Sequence, residues 1–270
     1  MDSSQKSEKK MPVLFLAHGS PMNIIADNAF TQSLRTLGQN LPKPKAILVI
    51  SAHWLSNGTK VLCSRNPKTI YDFYGFPEKL YKITYPSPGC PEIAKKVSQK
   101  IKSYKITCDY ECGFDHASWS ILRHIYPKAQ IALIELSLDY QYISWNPKPI
   151  EYHYRLAKEL RFLRDEKVLI IGSGNIIHNL GIFDYEVDAP LMRWAKDFDD
   201  KIKKNLLSKN REELINYQTM GDGAIKGIPT WDHYLPMIYI ISMQEENEAI
   251  KFFHEGFQHG SISMRSFKID

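Results

Sequence analysis

The chain has 270 residues, of which 43% are hydrophobic and 24% are charged, and its formal net charge is +5. This size and composition support a sizeable core in one large domain, or at most two. The basic residues are dispersed, so we expect no nucleic-acid partner. No apolar run approaches the roughly 18 residues of a membrane span, and residues 1–10 lack the apolar core of a secretory signal. We therefore expect a cytoplasmic protein with no membrane partner.

The cysteines support the same location. None of the four has a partner at zinc-ribbon spacing, and they stand at Cys63, Cys90, Cys108 and Cys112. We predict reduced thiols, which are typical of cytoplasmic proteins.

Short apolar runs alternate along the chain with segments of helical periodicity. Strands are predicted at 13–17, 46–52, around Val61, at 131–136, at 168–171, and as an edge strand at 262–269. Helices are predicted at about 28–41, from Pro91 onward, from a cap at Asp115 or Ser118 to Tyr126, at 151–164, and from Pro190 through Leu191, Trp194, Phe198, Ile202 and Leu206. This alternation predicts one α/β domain over residues 11–270, with a mostly parallel or mixed central sheet and helices on both faces. Residues 1–10 are polar and are expected to form a disordered tail.

Residues 66–91 interrupt the alternation with many prolines and aromatic residues. We call residues 71–85 the aromatic loop. Long loops in compact domains are commonly functional, and the aromatic content argues against disorder. The loop is predicted either to border a flat ring-shaped ligand or to pack as a proline-rich crossover on the surface.

Three histidines follow apolar runs that predict buried strands, namely His18, His53 and His178. In open α/β sheets, ligands bind beyond the carboxyl ends of the strands. Three imidazoles at that edge predict a metal site, and two further histidines, His116 and His233, stand in polar segments that favour the same site. Imidazole suits zinc, copper, iron and nickel, and the lack of cysteine partners argues against a structural zinc.

Other motifs receive simpler interpretations. His124 and His153 lie inside helical patterns, and each is predicted to be either a hydrogen-bonded histidine within the fold or an exposed one. His254 and His259 resemble a zincin pair, but five residues turn a helix by about 500°, so the two imidazoles would not share a face and are predicted at the surface.

The segment Gly172-Ser-Gly174-Asn-Ile-Ile177 resembles a dinucleotide-binding fingerprint but lacks its third glycine. We predict instead that these glycines turn the backbone and expose Asn175 and His178.

Six motifs occur in one order over the whole chain. They are Ala17-His-Gly-Ser-Pro21, Ser51-Ala-His-Trp54, Asp72-Phe-Tyr-Gly-Phe-Pro77 with Tyr85-Pro-Ser-Pro-Gly89, Gly113-Phe-Asp-His116, Gly174-Asn-Ile-Ile-His178-Asn-Leu, and Trp231-Asp-His233. From about Met11 onward, the chain resembles the class III extradiol ring-cleavage dioxygenases, and within them the 4,5-DOPA extradiol dioxygenase-like branch.

The resemblance implies a metal centre. His18 and His53 match the two ligand histidines of the family, and His233 matches the third ligand position. Protocatechuate-cleaving relatives carry a glutamate at that third position, and Asp232 is the nearest carboxylate that could substitute here. His178 matches a histidine that acts as acid or base and that approaches the metal as a fourth ligand in zinc-loaded members.

The resemblance also implies that His116 contacts the substrate or the developing oxyanion. The implied activity is cleavage of a DOPA-like catechol by Fe(II) and O₂ to a muconic semialdehyde. A neutral imidazole suits the removal of a catechol proton near pH 7, and a ferrous ion with three protein ligands keeps positions open for substrate and O₂. By the Irving–Williams order, protein isolated in air is expected to carry Zn(II).

Two alternatives remain open from the sequence. One is a zinc-dependent hydrolase that uses the same histidines, and the other is a non-catalytic metal-binding adaptor. The catechol, the position of cleavage and the native metal are not determined, and we expect a monomer or a small homo-oligomer.

Overall fold

A computed structural model of the protein describes residues 10–142 and 148–270. Residues 1–9 of the predicted disordered tail lie outside the described residues. Lys10 is described, and its Nζ lies 2.5 Å from Oε1 of Glu245.

The strands of the described residues form one large sheet and one small ribbon. They are β1 (Val13–Ala17), β2 (Ala46–Ser56), β3 (Thr59–Leu62), β4 (Ile106–Asp109), β5 (Ala132–Asp139), β6 (Val168–Gly174), β7 (Ile250–His254), β8 (Phe257–Gln258), β9 (Ile262–Ser263) and β10 (Ser266–Ile269). The large sheet has the order β4-β3-β5-β2-β6-β1-β10-β7, and β8 pairs with β9. Strands β5, β2, β6 and β1 are parallel, whereas β3 is antiparallel to β5 and β10 is antiparallel to both β1 and β7. The predicted mixed sheet is therefore confirmed.

The α-helices are α1 (Ala29–Asn40), α2 (Pro91–Lys100), α3 (His116–Ile125), α4 (Lys148–Glu159), α5 (Phe162–Asp165), α6 (Arg193–Leu207), α7 (Arg211–Ile215), α8 (Asp222–Gly227) and α9 (Leu235–Ser242). Short 3-10 helices cover Pro21–Ile24, Glu78–Lys82, Tyr140–Tyr142 and Tyr217–Met220. Within the described part of the chain, no helix is both long enough and apolar enough to cross a membrane.

Local sequence signals explain where several helices begin. Asn28 caps α1, because its side chain accepts the N–H of Thr31 while the Thr31 hydroxyl accepts the N–H of Asn28. Pro91 occupies the first position of α2, where its missing N–H costs nothing. Asp115, rather than Ser118, caps α3 by accepting the Ser118 N–H at 3.1 Å.

Helices cover both faces of the sheet, as predicted. Alternate residues of β1 point to opposite faces: Val13 and Phe15 join the core under α2, α4, α6 and α9, whereas Leu14 and Leu16 join the core under α1, α3 and the aromatic loop. Both cores run the length of the buried central strands, which explains why those strands lack a polar face.

The C-terminal elements differ from the prediction. Residues 262–269 form two strands instead of one, and β10 lies inside the sheet between β1 and β7. The edge strand at this end of the sheet is β7, which could not be predicted from the sequence because its apolar residues are only half-buried. The predicted helix 151–164 is divided between α4 and α5, and α6 begins at Arg193 instead of Pro190.

The prediction of four reduced thiols is wrong. Cys63 and Cys108 form a disulfide, with a Cα–Cα distance of 5.4 Å, whereas Cys90 and Cys112 are free. Strands β3 and β4 are parallel neighbours, and their register places Cys63 beside the end of β4. No local spacing signals a pair that is 45 residues apart. A cytoplasmic location therefore loses its support from the cysteines.

Candidate metal centre

The strands bring the predicted histidines to one edge of the sheet. Strands β2, β6 and β1 are adjacent and parallel, so their carboxyl ends coincide. His18 directly follows β1, and His178 follows β6 by four residues. His53 lies within β2, beyond the last residue that pairs with β6 and at the break in the β2–β5 register. The predicted position at the strand carboxyl ends is confirmed.

Three of the histidines form a near-equilateral group. The ring centroids of His18, His53 and His233 lie 5.0, 5.1 and 5.2 Å apart. One ligand atom from each of the three residues lies within 4.8 Å of the other two. His178 is not part of this group, and its ring stacks on that of His233 at 3.5 Å with an interplanar angle of 3°. Its assignment as a fourth ligand remains a prediction.

Two glycines allow His233 to approach the strand. A Cβ added at Gly174 would lie 2.2 Å from the carbonyl oxygen of His233, and one added at Gly172 would lie 2.4 Å from that of Pro236. These residues belong to β6, so they do not form the sharp turn predicted for them, and they do not expose Asn175, which is 1% exposed. Their function is to let the start of α9 contact the strand backbone.

Hydrogen bonds fix the ring nitrogens of His18 and His233. The Ser173 hydroxyl donates to the Ala117 carbonyl at 2.7 Å, so its oxygen accepts from Nδ1–H of His18 at 3.1 Å. Oδ2 of Asp232 accepts from Nδ1–H of His233 at 3.1 Å. When these rings are neutral, a proton on Nδ1 leaves the lone pair of Nε2 free.

Asp72, a residue of the aromatic loop, lies beside Nδ1 of His53, as Ser173 lies beside Nδ1 of His18 and Asp232 beside Nδ1 of His233. Oδ2 of Asp72 lies 2.8 Å from Nδ1 of His53 and 2.9 Å from Nδ1 of His116, and Oδ1 accepts the backbone N–H of His116 at 2.8 Å. The sequence analysis assigned no function to Asp72. Its only signal was its place in the motif Asp72-Phe-Tyr-Gly-Phe-Pro77.

The surroundings shift the pKa values of the rings in different directions. Burial, together with the other histidines, lowers the pKa of His18 well below its ordinary value, and burial also lowers the pKa of His233. Burial alone would lower the pKa of His53, but the contact with Asp72 and the charges of Asp115 and Asp232 raise it. His18 and His233 are therefore neutral at pH 7, as metal ligands must be.

The donor set fits a divalent transition metal. Nε2 of His233 is buried and has no hydrogen-bond partner among the described residues. Such an atom costs about 1–3 kcal/mol when it is left unsatisfied. The Nδ1 atom of each of the three imidazoles contacts an oxygen atom. Proteins use such contacts to orient histidines that bind a metal. His18, His53 and His233 would hold the ion.

Buried hydrogen bonds tie the loops of the site to α6. Asn175 accepts the Gly19 N–H and donates to the Ser263 carbonyl at 2.9 Å. Asp199 of α6 accepts the Ser263 hydroxyl at 2.7 Å and Nε–H of Arg265 at 2.9 Å. This connection fixes the C-terminal segment against the loops that follow β1 and β6.

The remaining histidines lie outside the site. His124 donates from Nε2 to the Asn23 carbonyl at 2.8 Å, and Nδ1 of buried His153 lies 2.8 Å from the Tyr239 hydroxyl, so both rings are hydrogen-bonded within the fold. The predicted surface position of His254 and His259 is confirmed only in part, because both are half-buried. His254 packs against the ring of Phe30, and Nδ1 of His259 contacts the Asp184 carbonyl.

The aromatic loop packs on the site. The ring of Phe73 lies 5.3 Å from that of His116, and Tyr71 packs on Trp119 of α3. Trp119 in turn donates its indole N–H to the Ile70 carbonyl at 2.9 Å. The loop therefore borders the site through Phe73 and Asp72, and a contact with substrate remains a prediction.

Comparison with known proteins agrees with the geometry. Residues 12–266 match the family described as the catalytic LigB subunit of aromatic ring-opening dioxygenase. The 4,5-DOPA dioxygenase extradiol of Escherichia coli (strain K12) is 40% identical over 267 residues, which cover 97% of this chain and 96% of that protein. The protein of the same name from Portulaca grandiflora is 33% identical, with 94% of each chain covered.

A solved structure supports the same relationship. The crystal structure of an uncharacterized protein from Escherichia coli K12 superimposes with a TM-score of 0.82 at 37% identity, and the match covers 97% of this chain and all of that one. The resemblance carried by the six motifs is thus confirmed over nearly the whole chain. The chain belongs to the class III extradiol dioxygenases, the family of the catalytic LigB subunit of aromatic ring-opening dioxygenase.

Proposed function

We propose that this protein is an Fe(II)-dependent extradiol dioxygenase that opens the ring of a DOPA-like catechol with O₂ to give a muconic semialdehyde. The observation that carries the proposal is the group formed by His18, His53 and His233, with His116 beside it. Ferrous iron held by the first three would supply the electron transfer to O₂ that no side chain provides. The names of the relatives support a DOPA-like substrate.

His116 is the residue that accepts a catechol proton. Its Nδ1 is held by Asp72 at 2.9 Å, so the neutral ring keeps its Nε2 lone pair available. The ring is 4.3 Å from that of His53, which places this base beside a proposed metal ligand. A catechol held between them loses its hydroxyl proton to Nε2 of His116.

His178 is the second proton-transfer group. Burial, followed by the neighbouring His233, lowers its pKa well below the ordinary value, so the ring is neutral near pH 7. A neutral imidazole that receives a proton in such a position passes it on readily, because its charged form is poorly solvated. This behaviour suits a group that returns a proton to the product as the ring opens.

Phe73 limits the access of water to the proton-transfer groups. It is 8% exposed, and its ring contacts that of His116 edge to face. The face of a planar catechol can lie against this aromatic wall, which orients the hydroxyl groups toward the histidines.

The hydrolase and adaptor alternatives are less consistent with the site. A zinc hydrolase needs a carboxylate that is available to deprotonate a water molecule. Asp72 and Asp232 each contact a histidine Nδ1 and are therefore already engaged, and Asp115 is buried at the start of α3, where it accepts the Ser118 N–H. An adaptor would not need His116 to be held with a free Nε2.

The proposal is tested by loading the metal-free protein with Fe(II) under anaerobic conditions and measuring O₂ uptake with a panel of catechols. We expect DOPA or a close analogue to consume one O₂ per ring opened. His178→Ala should still bind Fe(II) and catechol, whereas turnover falls by roughly 10²–10⁴-fold. Protein isolated in air should carry zinc and open no ring. Ring cleavage by an iron-free zinc form, or no cleavage of any catechol by the iron form, would overturn the proposal.

A further inference from the structure

One carboxylate contacts both a proposed metal ligand and the proposed base. Oδ2 of Asp72 lies within hydrogen-bond distance of Nδ1 on both His53 and His116, at 2.8 and 2.9 Å. Its second oxygen accepts the backbone N–H of His116, the first residue of α3, at 2.8 Å. All of the close contacts of this carboxylate are therefore with groups that can donate a proton.

An ionised carboxylate accepts hydrogen bonds but donates none. The contact with His116 is a hydrogen bond and the contact with His53 is an ion-pair contact, and a ring nitrogen at 2.8–2.9 Å from the carboxylate must carry a proton, because two lone pairs at that distance repel. With Nδ1 protonated, the neutral forms of His53 and His116 both present the lone pair of Nε2. His53 needs that lone pair for a metal, and His116 needs it to accept a proton.

The backbone around Asp72 is held from both sides. The Tyr71 hydroxyl donates to the Ile83 carbonyl at 2.8 Å, and Phe73 is packed between Tyr81 and His116. Upstream, Ile70 donates its N–H to the Phe114 carbonyl at 2.7 Å, so the loop is bonded to the segment that leads into α3. The side chain of Asp72 is 24% exposed. Its position is thus determined by the fold of the aromatic loop.

We propose that Asp72 is a positioning residue that fixes the tautomers of His53 and His116 together, and so couples metal binding at one ring to proton acceptance at the other. This inference rests on the proposed function for the use made of the two rings. It also explains why the aromatic loop contributes a carboxylate to a site whose other residues come from strand ends and from the starts of helices.

The substitution Asp72→Asn tests the proposal because it keeps the shape and reverses one hydrogen-bonding group. If Oδ1 of the amide keeps the His116 N–H, the amide NH₂ replaces Oδ2 and faces both Nδ1 atoms. Each Nδ1 must then accept, and the proton moves to Nε2. We expect ¹⁵N NMR of the metal-free protein, recorded at a pH high enough for the rings to be neutral, to show Nδ1–H on His18, His53, His116 and His233 in the wild type. In the variant, only His53 and His116 should change to Nε2–H.

Metal binding gives a second readout that does not depend on turnover. Titration with Co(II) should show an affinity for the Asp72→Asn protein about 10–100-fold below that of the wild type. Asp72→Glu, which retains a carboxylate, should recover part of the lost Co(II) affinity. Asp232→Asn is the matched control: it should change the tautomer of His233 and leave His53 and His116 as they are.

Several results would overturn the proposed role of Asp72. A neutral His53 or His116 ring that carries its proton on Nε2 in the wild type would overturn the proposal even if no variant folds. Unchanged tautomers or wild-type Co(II) affinity in Asp72→Asn would also overturn it. So would two Co(II) ions per wild-type chain with the second lost in the variant, because Asp72 would then be a ligand. If the NMR and Co(II) results hold but iron-loaded protein opens no catechol, the proposed function fails and the positioning role of Asp72 stands.

Discussion

The closest backbone contact at the site gives the sharpest prediction. A methyl group added by Gly174→Ala would lie 2.2 Å from the carbonyl oxygen of His233, whereas ordinary contact begins at 3.4 Å. The carbonyl must therefore retreat by about 1 Å. Metal–ligand distances tolerate only about 0.2 Å, so His233 would no longer fit with His18 and His53.

The expected cost is at least the 10–100-fold loss of metal affinity seen when the support of a ligand is removed, or about 1.4–2.8 kcal/mol. Overpacking of this kind costs about 1–3 kcal/mol of unfolding free energy, so the variant should still fold. Anaerobic Co(II) titration measures the affinity, and thermal unfolding measures the stability.

Gly256→Ala is the matched control. A Cβ at that position would lie 3.6 Å from Nε2 of His254, which is ordinary contact. The Gly256→Ala protein should bind Co(II) with the affinity of the wild type. Wild-type affinity in Gly174→Ala would show that His233 is not held in place by β6, and the reasoning would fail.

Three further predictions concern the scaffold. Asp199→Ala leaves the buried guanidinium of Arg265 with only the partly exposed Glu255 as a partner and should lower the unfolding free energy by about 3–5 kcal/mol. Asp200→Ala breaks an exposed pair with Lys196 and should leave the unfolding free energy close to that of the wild type, and urea unfolding of both variants decides this. Burial lowers the pKa of His153 to about 3, so its contribution to stability is complete above pH 6.5 and is lost as the pH falls. Between pH 7.5 and 5.0 the wild type should therefore lose about 2 kcal/mol more than His153→Gln, and equal losses would contradict the assignment. Replacing Cys63 and Cys108 by serine removes a cross-link between residues 45 apart and should lower the unfolding free energy by about 4 kcal/mol, and the unfolded, unreduced wild type should titrate two thiols instead of four.

The sequence predicted those parts of the fold that have strong local signals. The runs at β1, β2 and β6 are apolar throughout because helices cover both faces, and such runs are easily recognised. β7 and β4 lie at the sheet edges and are only partly buried, so their patterns are weak. The disulfide depends on the pairing of β3 with β4, a long-range contact that no spacing reveals.

The candidate site likewise contains residues that could be predicted from local sequence signals and residues that could not. His18, His53 and His233 could be predicted from strand ends and motif order, and the structure groups them. Asp72 could not be assigned, because its importance depends on how an irregular loop folds back over α3. The function of Gly172 and Gly174 was misjudged for a similar reason, since the backbone that approaches them, at Pro236 and His233, is 64 and 59 residues away along the chain.

In the proposed function, the iron-loaded protein inserts both atoms of O₂ into a catechol that it opens. This insertion is tested most directly by reaction of DOPA with ¹⁸O₂ on the Fe(II)-loaded protein, followed by mass spectrometry of the ring-opened product. Cleavage beside the two hydroxyl carbons places one oxygen atom in a new carboxylate and the other in an aldehyde, which is reduced with borohydride at once to prevent exchange with water. We expect both labelled atoms in one product molecule. A ring-opened product that carries no ¹⁸O, because its new oxygen atoms come from water, would contradict the proposed function. So would an unopened quinone formed while O₂ is reduced to peroxide.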